Sequence, residues 1–149
     1  MWYATTPLND SLLQGPDLVN SLVGVLIRFR QHPVAIISDI EAMFHQVVVK
    51  ETDRGALRFL WFRNGDPNQG IESYQMNRFI FGAKPSPCAA ALALQSVAND
   101  FKSQFSHEVI QTVLKNFYVD DMLKSVRTVE EAVALSVDLR KLLHKRGFN

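Results

Sequence analysis

Two adjacent carboxylates, Asp120 and Asp121, lie between an apolar run over residues 113–119 and another over residues 122–126. Strand-forming residues on both sides of a short polar pair read as a tight hairpin with the acids at its tip. Like charges side by side repel, so a fold seldom holds them together without a cation. An Asp-Asp pair alone is also what an ordinary solvated turn looks like. A third acid changes the weighing. Asp39 ends the apolar run over residues 34–37, which reads as a buried strand. If the two strands are neighbours, three carboxylates converge at one sheet end. That all-oxygen donor set suits hard divalent cations. A pair of such ions can activate a sugar hydroxyl, neutralise a triphosphate and stabilise both oxygens of an in-line displacement.

The elements that must position these acids follow from local pattern. Residues 5–16 are turn-rich, with Pro7, Asn9, Asp10, Gly15 and Pro16, and read as a loop. Asp17 is placed to start a helix whose face carries Leu18, Val19, Leu22, Leu26 and Phe29. Pro33 stops it. After strand 34–39, residues 40–46 read as one or two helical turns or as a bend. Val47, Val48 and Val49 are strand-like. Residues 57–62 and 73–77, separated by the turn-rich 64–70, read as a hairpin in which Phe59 and Trp61 pack with Tyr74 and Met76. Core packing, rather than base stacking, is the expected role of Phe59, Trp61 and Phe62. Ser86 as N-cap with Pro87 at the first helical position starts a helix burying Ala90, Leu94, Val97, Ala98 and Phe101. Thr128 and Glu131 form a capping box for a last helix with Ala132, Leu135, Leu139, Leu142 and Leu143 on one face. The mixed order predicts an α+β fold, an antiparallel sheet with helices on one face.

Composition sets the outer bounds. At 47% hydrophobic and 21% charged residues the chain is globular rather than disordered. Its 149 residues suit one domain. A net charge of +1 does not announce a nucleic-acid binder, although six Lys/Arg against three acids gather between Lys124 and Arg146. One cysteine, Cys88, excludes a disulfide framework and a Cys-rich zinc site and fits a reducing compartment. In its Ala-rich surroundings Cys88 reads as a small buried packing residue. His32, His45, His107 and His144 lack metal-ligand spacing and read as surface or capping residues. No signal peptide or membrane-length apolar run is present, so a cytoplasmic or nuclear, not secreted, protein is expected. Both ends look cut: Gly147 reads as a helix C-cap leading onward, and Met1-Trp2-Tyr3 has no cap or strand partner of its own.

Three motifs in order resemble those of reverse transcriptases. Tyr118-Val119-Asp120-Asp121 resembles the Tyr-x-Asp-Asp motif, and Asp39-Ile40-Glu41-Ala42-Met43-Phe44 the Asp-x-x-x-x-aromatic motif. Phe81-Gly82-Ala83-Lys84-Pro85-Ser86-Pro87 resembles the third. Each is short; their order, spacing and flanks make the set specific. The flanking segments 8–16, 26–30 and 53–61 are similar to the polymerase of BEL/Pao LTR retrotransposons.

The resemblance implies one partial reverse transcriptase domain over residues 1–149, a palm with part of the fingers, lacking the N-terminal fingers strands and the thumb. It implies RNA-directed DNA polymerase activity with two Mg²⁺ ions, which Mn²⁺ could replace, held by Asp39, Asp120 and Asp121. Phe44 would be a steric gate under the sugar, and Gly82, Lys84 and Tyr118 would lie near the nucleotide. Many retroviral relatives carry glutamine where Phe81 stands. Implied partners are template–primer, dNTPs and the thumb, RNase H and integrase of a polyprotein, with no membrane. An RNA-dependent RNA polymerase would usually show Gly-Asp-Asp and a smaller or acidic gate residue. A truncated, non-catalytic remnant that binds nucleic acid or a protein is the other alternative.

Overall fold

The structure, a computed structural model, describes residues 6–148. Met1, Trp2 and Tyr3, noted above at the start of the chain, lie outside the described residues. The helices are α1 (Leu22–Phe29), α2 (Met43–Gln46), α3 (Ser86–Asp100), α4 (His107–Lys115) and α5 (Val129–His144). The strands are β1 (Val34–Asp39), β2 (Arg58–Phe62), β3 (Ile71–Gln75), β4 (Phe117–Tyr118) and β5 (Asp121–Val126). The antiparallel sheet has the order β1-β5-β4, and β2–β3 is a separate hairpin.

Strand alternation explains where the core sits. Met122 and Val126 of β5, with Val34 and Ile36 of β1, face a cluster built from Ala90, Leu94 and Val97 of α3, Val109 and Val113 of α4, and Leu135, Leu139 and Leu142 of α5. Burying a side chain of this size contributes about 1.5–3 kcal/mol. Ser125, on the opposite face, donates to Arg28 O and accepts from His32 N, so the end of α1 docks there. Arg28 also donates to the Lys115 carbonyl, tying α1 to the end of α4.

β1 is a half-exposed edge strand rather than a buried one, with Ile37 67% exposed. Ile40 N donates to Asp120 O. In the antiparallel phase this sets, Val34, Ile36 and Ser38 bond to β5, while Ala35, Ile37 and Asp39 turn their backbone groups to the open edge.

Several local expectations need correction. The first helix starts at Ser21, not Asp17: the Ser21 side chain accepts from Gly24 N, and Asp17 instead accepts from Val19 N in a local turn. Residues 113–115 belong to α4, not to a strand; Ser106 caps that helix and Val109, Ile110 and Val113 are buried at helical spacing. The strand before the acids is only Phe117–Tyr118. Val47–Val49 form no strand, only a bridge between Val48 and Arg78. Pro85 sits at the cap of α3; Ser86 is its first residue, buried, and donates to Ile80 O at 2.6 Å. The β2–β3 pairing sets Trp61 opposite Glu72, away from Met76, and Trp61 touches Phe62 instead. Phe59 stacks on Tyr74 as expected. Neither strand joins the core: Leu60 is 70% and Trp61 55% exposed. Cys88 is half-buried.

Other expectations hold. In the capping box of α5, Glu131 N donates to Thr128, while the Glu131 carboxylate takes Arg127 N. Gly147 (φ +80) closes the same helix: its N–H reaches His144 O and Phe148 N reaches Leu143 O, seating Phe148 in the core. Residues 40–46 resolve into one helical turn, α2, entered through Ala42 in the left-handed region.

Candidate active site

The register β1–β5 sets Asp39 opposite Asp121, and the register β4–β5 sets Tyr118 opposite Asp121. Val119 and Asp120 are left as a two-residue turn. Val119 has φ +57, a conformation that a β-branched residue adopts at a cost of about 1–3 kcal/mol. The turn is held from below. Phe117, Met122 and Ile40 are buried, Val119 packs on the same cluster, and the Ile40–Asp120 hydrogen bond of 3.1 Å ties the turn to β1. The result is that carboxylate oxygens of Asp39, Asp120 and Asp121 all lie within 4.8 Å of one another.

Among the described residues none of the ion pairs involves these acids. The Asp39 carboxyl is held above its ordinary value, first by partial desolvation and then by the negative charges of Asp120 and Asp121; a hydrogen bond with the Ile40 backbone works the other way. An oxygen-only group on the rim of a sheet fits a hard divalent cation, which such oxygens and solvent waters would share.

The remaining expected site residues fall into two groups. Phe44, on α2, is 8% exposed and shares the core cluster with Ile40 and Met122. Its ring meets Phe81 edge-to-face at 4.9 Å, and Phe81 meets His45 at 5.6 Å. Phe81 itself is 61% exposed. Gly82 (φ +80) and Lys84 lie in the turn that follows. Lys84 is exposed and forms no ion pair among the described residues. Tyr118 is half-buried on β4, next to the acids in sequence and register.

Two positioning side chains were not found in the sequence. Asn9 donates from Nδ2 to Gly82 O at 2.8 Å and accepts at Oδ1 from Lys84 N at 2.9 Å. Asn20 donates to Leu114 O at 3.1 Å and to Phe117 O at 2.9 Å, just ahead of the acidic turn. Asn9 read as one more turn residue, and Asn20 as a helix-interior position. Neither has a short-range pattern that could reveal a partner so distant in the chain.

No curated protein sequence matches the chain. A solved structure, that of a foamy viral protease-reverse transcriptase in complex with an RNA/DNA hybrid, matches with a TM-score of 0.62 at 20% identity. The match covers 87% of this chain and 15% of that one, and the shared fold is that of a reverse transcriptase palm with part of the fingers. The family described as reverse transcriptase (RNA-dependent DNA polymerase) matches residues 7–149. That span takes in all three converging acids and the turn that Asn9 holds, and the chain belongs to this reverse transcriptase family.

Proposed function

We propose that the chain is the catalytic core of an RNA-directed DNA polymerase that adds dNTPs to a primer 3′-hydroxyl on an RNA or DNA template. The convergence of Asp39, Asp120 and Asp121 within 4.8 Å, in a member of this family, carries the reading and favours it over a non-catalytic remnant. Asp39 and Asp120 would hold two Mg²⁺ ions, with Asp121 in support. When bound, such ions neutralise the triphosphate and lower the pKa of the attacking hydroxyl. The chain's own residues supply the geometry. The Ile40–Asp120 bond keeps the acids in register as charge shifts, Phe44 excludes a 2′-hydroxyl beneath the sugar, and the Gly82–Lys84 turn with Tyr118 borders the nucleotide. RNA/DNA hybrid is bound by the foamy viral protein, and a template–primer of that kind is the partner proposed here.

The flanking segments support a BEL/Pao retrotransposon as the source. The chain spans 15% of the foamy viral protein's length. On the resemblance of those flanking segments, it works beside a thumb, RNase H and integrase in a polyprotein of the cytoplasm or nucleus. Among the described residues no helix is long and apolar enough to cross a membrane. The test is primer extension by a polymerase containing this chain. Asp120→Asn is expected to lower the rate by about 10³-fold or more with the fold intact; near-normal extension would overturn the metal assignment.

A further inference from the structure

We propose that Asn9 is a positioning residue for nucleotide selection: its carboxamide sets the Gly82–Lys84 turn and, through it, the Phe81 ring that packs on Phe44. The inference rests on the polymerase reading above. Its observations are separate from the acids.

Phe81 presents most of its surface to solvent, so core burial does not fix its ring. The backbone beside it must. Gly82 is in the left-handed region, and no side chain of its own holds the turn. The bond from Ser86 to Ile80 O and that from Ser86 N to Ala83 O tie down the far side. The near side is tied by Asn9 alone among the hydrogen bonds of the described residues, through Gly82 O and Lys84 N. The two contacts have opposite polarity, one accepting and one donating, so they also assign the orientation of the amide. A carboxylate would place an acceptor against the Gly82 carbonyl, and a serine would fall short of spanning both groups.

Asn9 is itself anchored. It lies in a one-turn 3₁₀ segment, Leu8–Asp10, closed by Asp10 N to Pro7 O and Ser11 N to Leu8 O. Farther along, Gly15 (φ +78) passes so close to α3 that an added Cβ would stand 2.7 Å from Cys88 Sγ. The segment meets α3 at Gly15, and the Asn9 amide reaches from its 3₁₀ turn to residues 82–84. Phe81 then bridges Phe44 and His45 edge-to-face, so a shift of the turn moves the surface on which the proposed gate ring rests.

The experiment compares Asn9→Ala, Asn9→Asp and Asn20→Ala with the unaltered polymerase, and includes Asp120→Asn. Asn9→Ala is expected to raise KM for dNTPs about tenfold with a much smaller change in kcat, as misplacement of a substrate-contacting wall does. It is also expected to change the ratio of ribo- to deoxyribonucleotide incorporation. Asn9→Asp, which keeps only the Lys84 contact, falls between. Asn20→Ala, whose bonds support the start of β4 just ahead of the acids, is expected to lower thermal stability and kcat rather than to raise KM for dNTPs or move the ratio. Amide exchange at residues 82–84 should quicken in Asn9→Ala, and this reads the clamp even in an inactive preparation. Unchanged exchange, or unchanged KM and ratio in an enzyme that Asp120→Asn inactivates, overturns the Asn9 assignment alone. If Asp120→Asn remains active, the polymerase reading fails and takes this one with it.

Discussion

β4–β5 and β2–β3 are both antiparallel hairpins rich in aromatic and aliphatic residues, and both carry an aspartate at the tip. Their environments differ. β4–β5 is paired to β1 and covered by α3, α4 and α5, so Met122 is 2% exposed and its strained two-residue turn is held by tertiary contacts. β2–β3 has no third strand, and its loop is held by its own polar groups. Asp66 accepts from Asn68 N, from the Asn68 amide and from the Gln69 amide. Strand composition is therefore common to both, while burial comes from sheet membership. A tip can be fixed by packing from below, which leaves its carboxylates free for a ligand, or by local hydrogen bonds, which consume them.

The largest expected contrast lies between the two aspartates. Asp120→Asn should cost about 10³-fold or more in primer extension, whereas Asp66→Asn should leave it unchanged; a comparable loss in both would erase the distinction between free and consumed carboxylates. Next comes packing. Met122→Ala should lower unfolding stability by about 2–5 kcal/mol in denaturant titration, as buried truncations do. Trp61→Ala, on the exposed hairpin, should shift it by no more than about 0.5 kcal/mol. Equal shifts would mean that β2–β3 shares the core.

The smallest effect is a difference of sign with pH. Asp66 lies below its ordinary value of 3.8, first through the Asn68 backbone N–H and then through the Gln69 and Asn68 side chains. Its contribution is present above that value and is lost as pH falls through the depressed folded value. Asp39 lies above 3.8, so its contribution is full below that value and is lost as pH rises through the raised one. Acidification should thus lower the amide protection factors, which are corrected for the intrinsic pH dependence of exchange, around residues 66–70 and raise them around residues 39–40 and 120–121. Protection factors moving in the same direction at both tips would contradict the assignment.

The acids, the β4–β5 turn, both capped ends of α5 and the β2–β3 hairpin were legible because their signals are local: paired carboxylates, a Thr–Glu capping box, a Gly C-cap and turn residues between aromatic runs. What failed was of three physical kinds. Val109, Ile110, Val113 and Leu114 carry helical spacing, but Val113, Leu114 and Lys115 run straight on into the apolar residues up to Val119, so the last three residues of α4 read with the strand. Ile37 and Trp61 look buried by type; whether another element lies over them is a tertiary fact. Asn9 and Asn20 act on backbone groups far along the chain, where composition says nothing. Val23 and Ile27 of α1 and Val133 and Val137 of α5 leave apolar surface uncovered, which favours association of exposed faces.

The sheet order β1-β5-β4 also fixes a schedule. β5 is made roughly eighty residues after its partner β1, about 4–16 s of synthesis at a ribosomal rate of about 5–20 residues per second. During that interval Ile36 and Ile37 have no strand beside them, and Asp39 has no companions. The local hairpin β2–β3 and the helix α3 can form in the meantime, but they cannot close the sheet. The acidic centre therefore cannot assemble before β5 has been made, and a ribosome stalled between β1 and β5 leaves a nascent polypeptide with an unpaired apolar strand and its acids still apart.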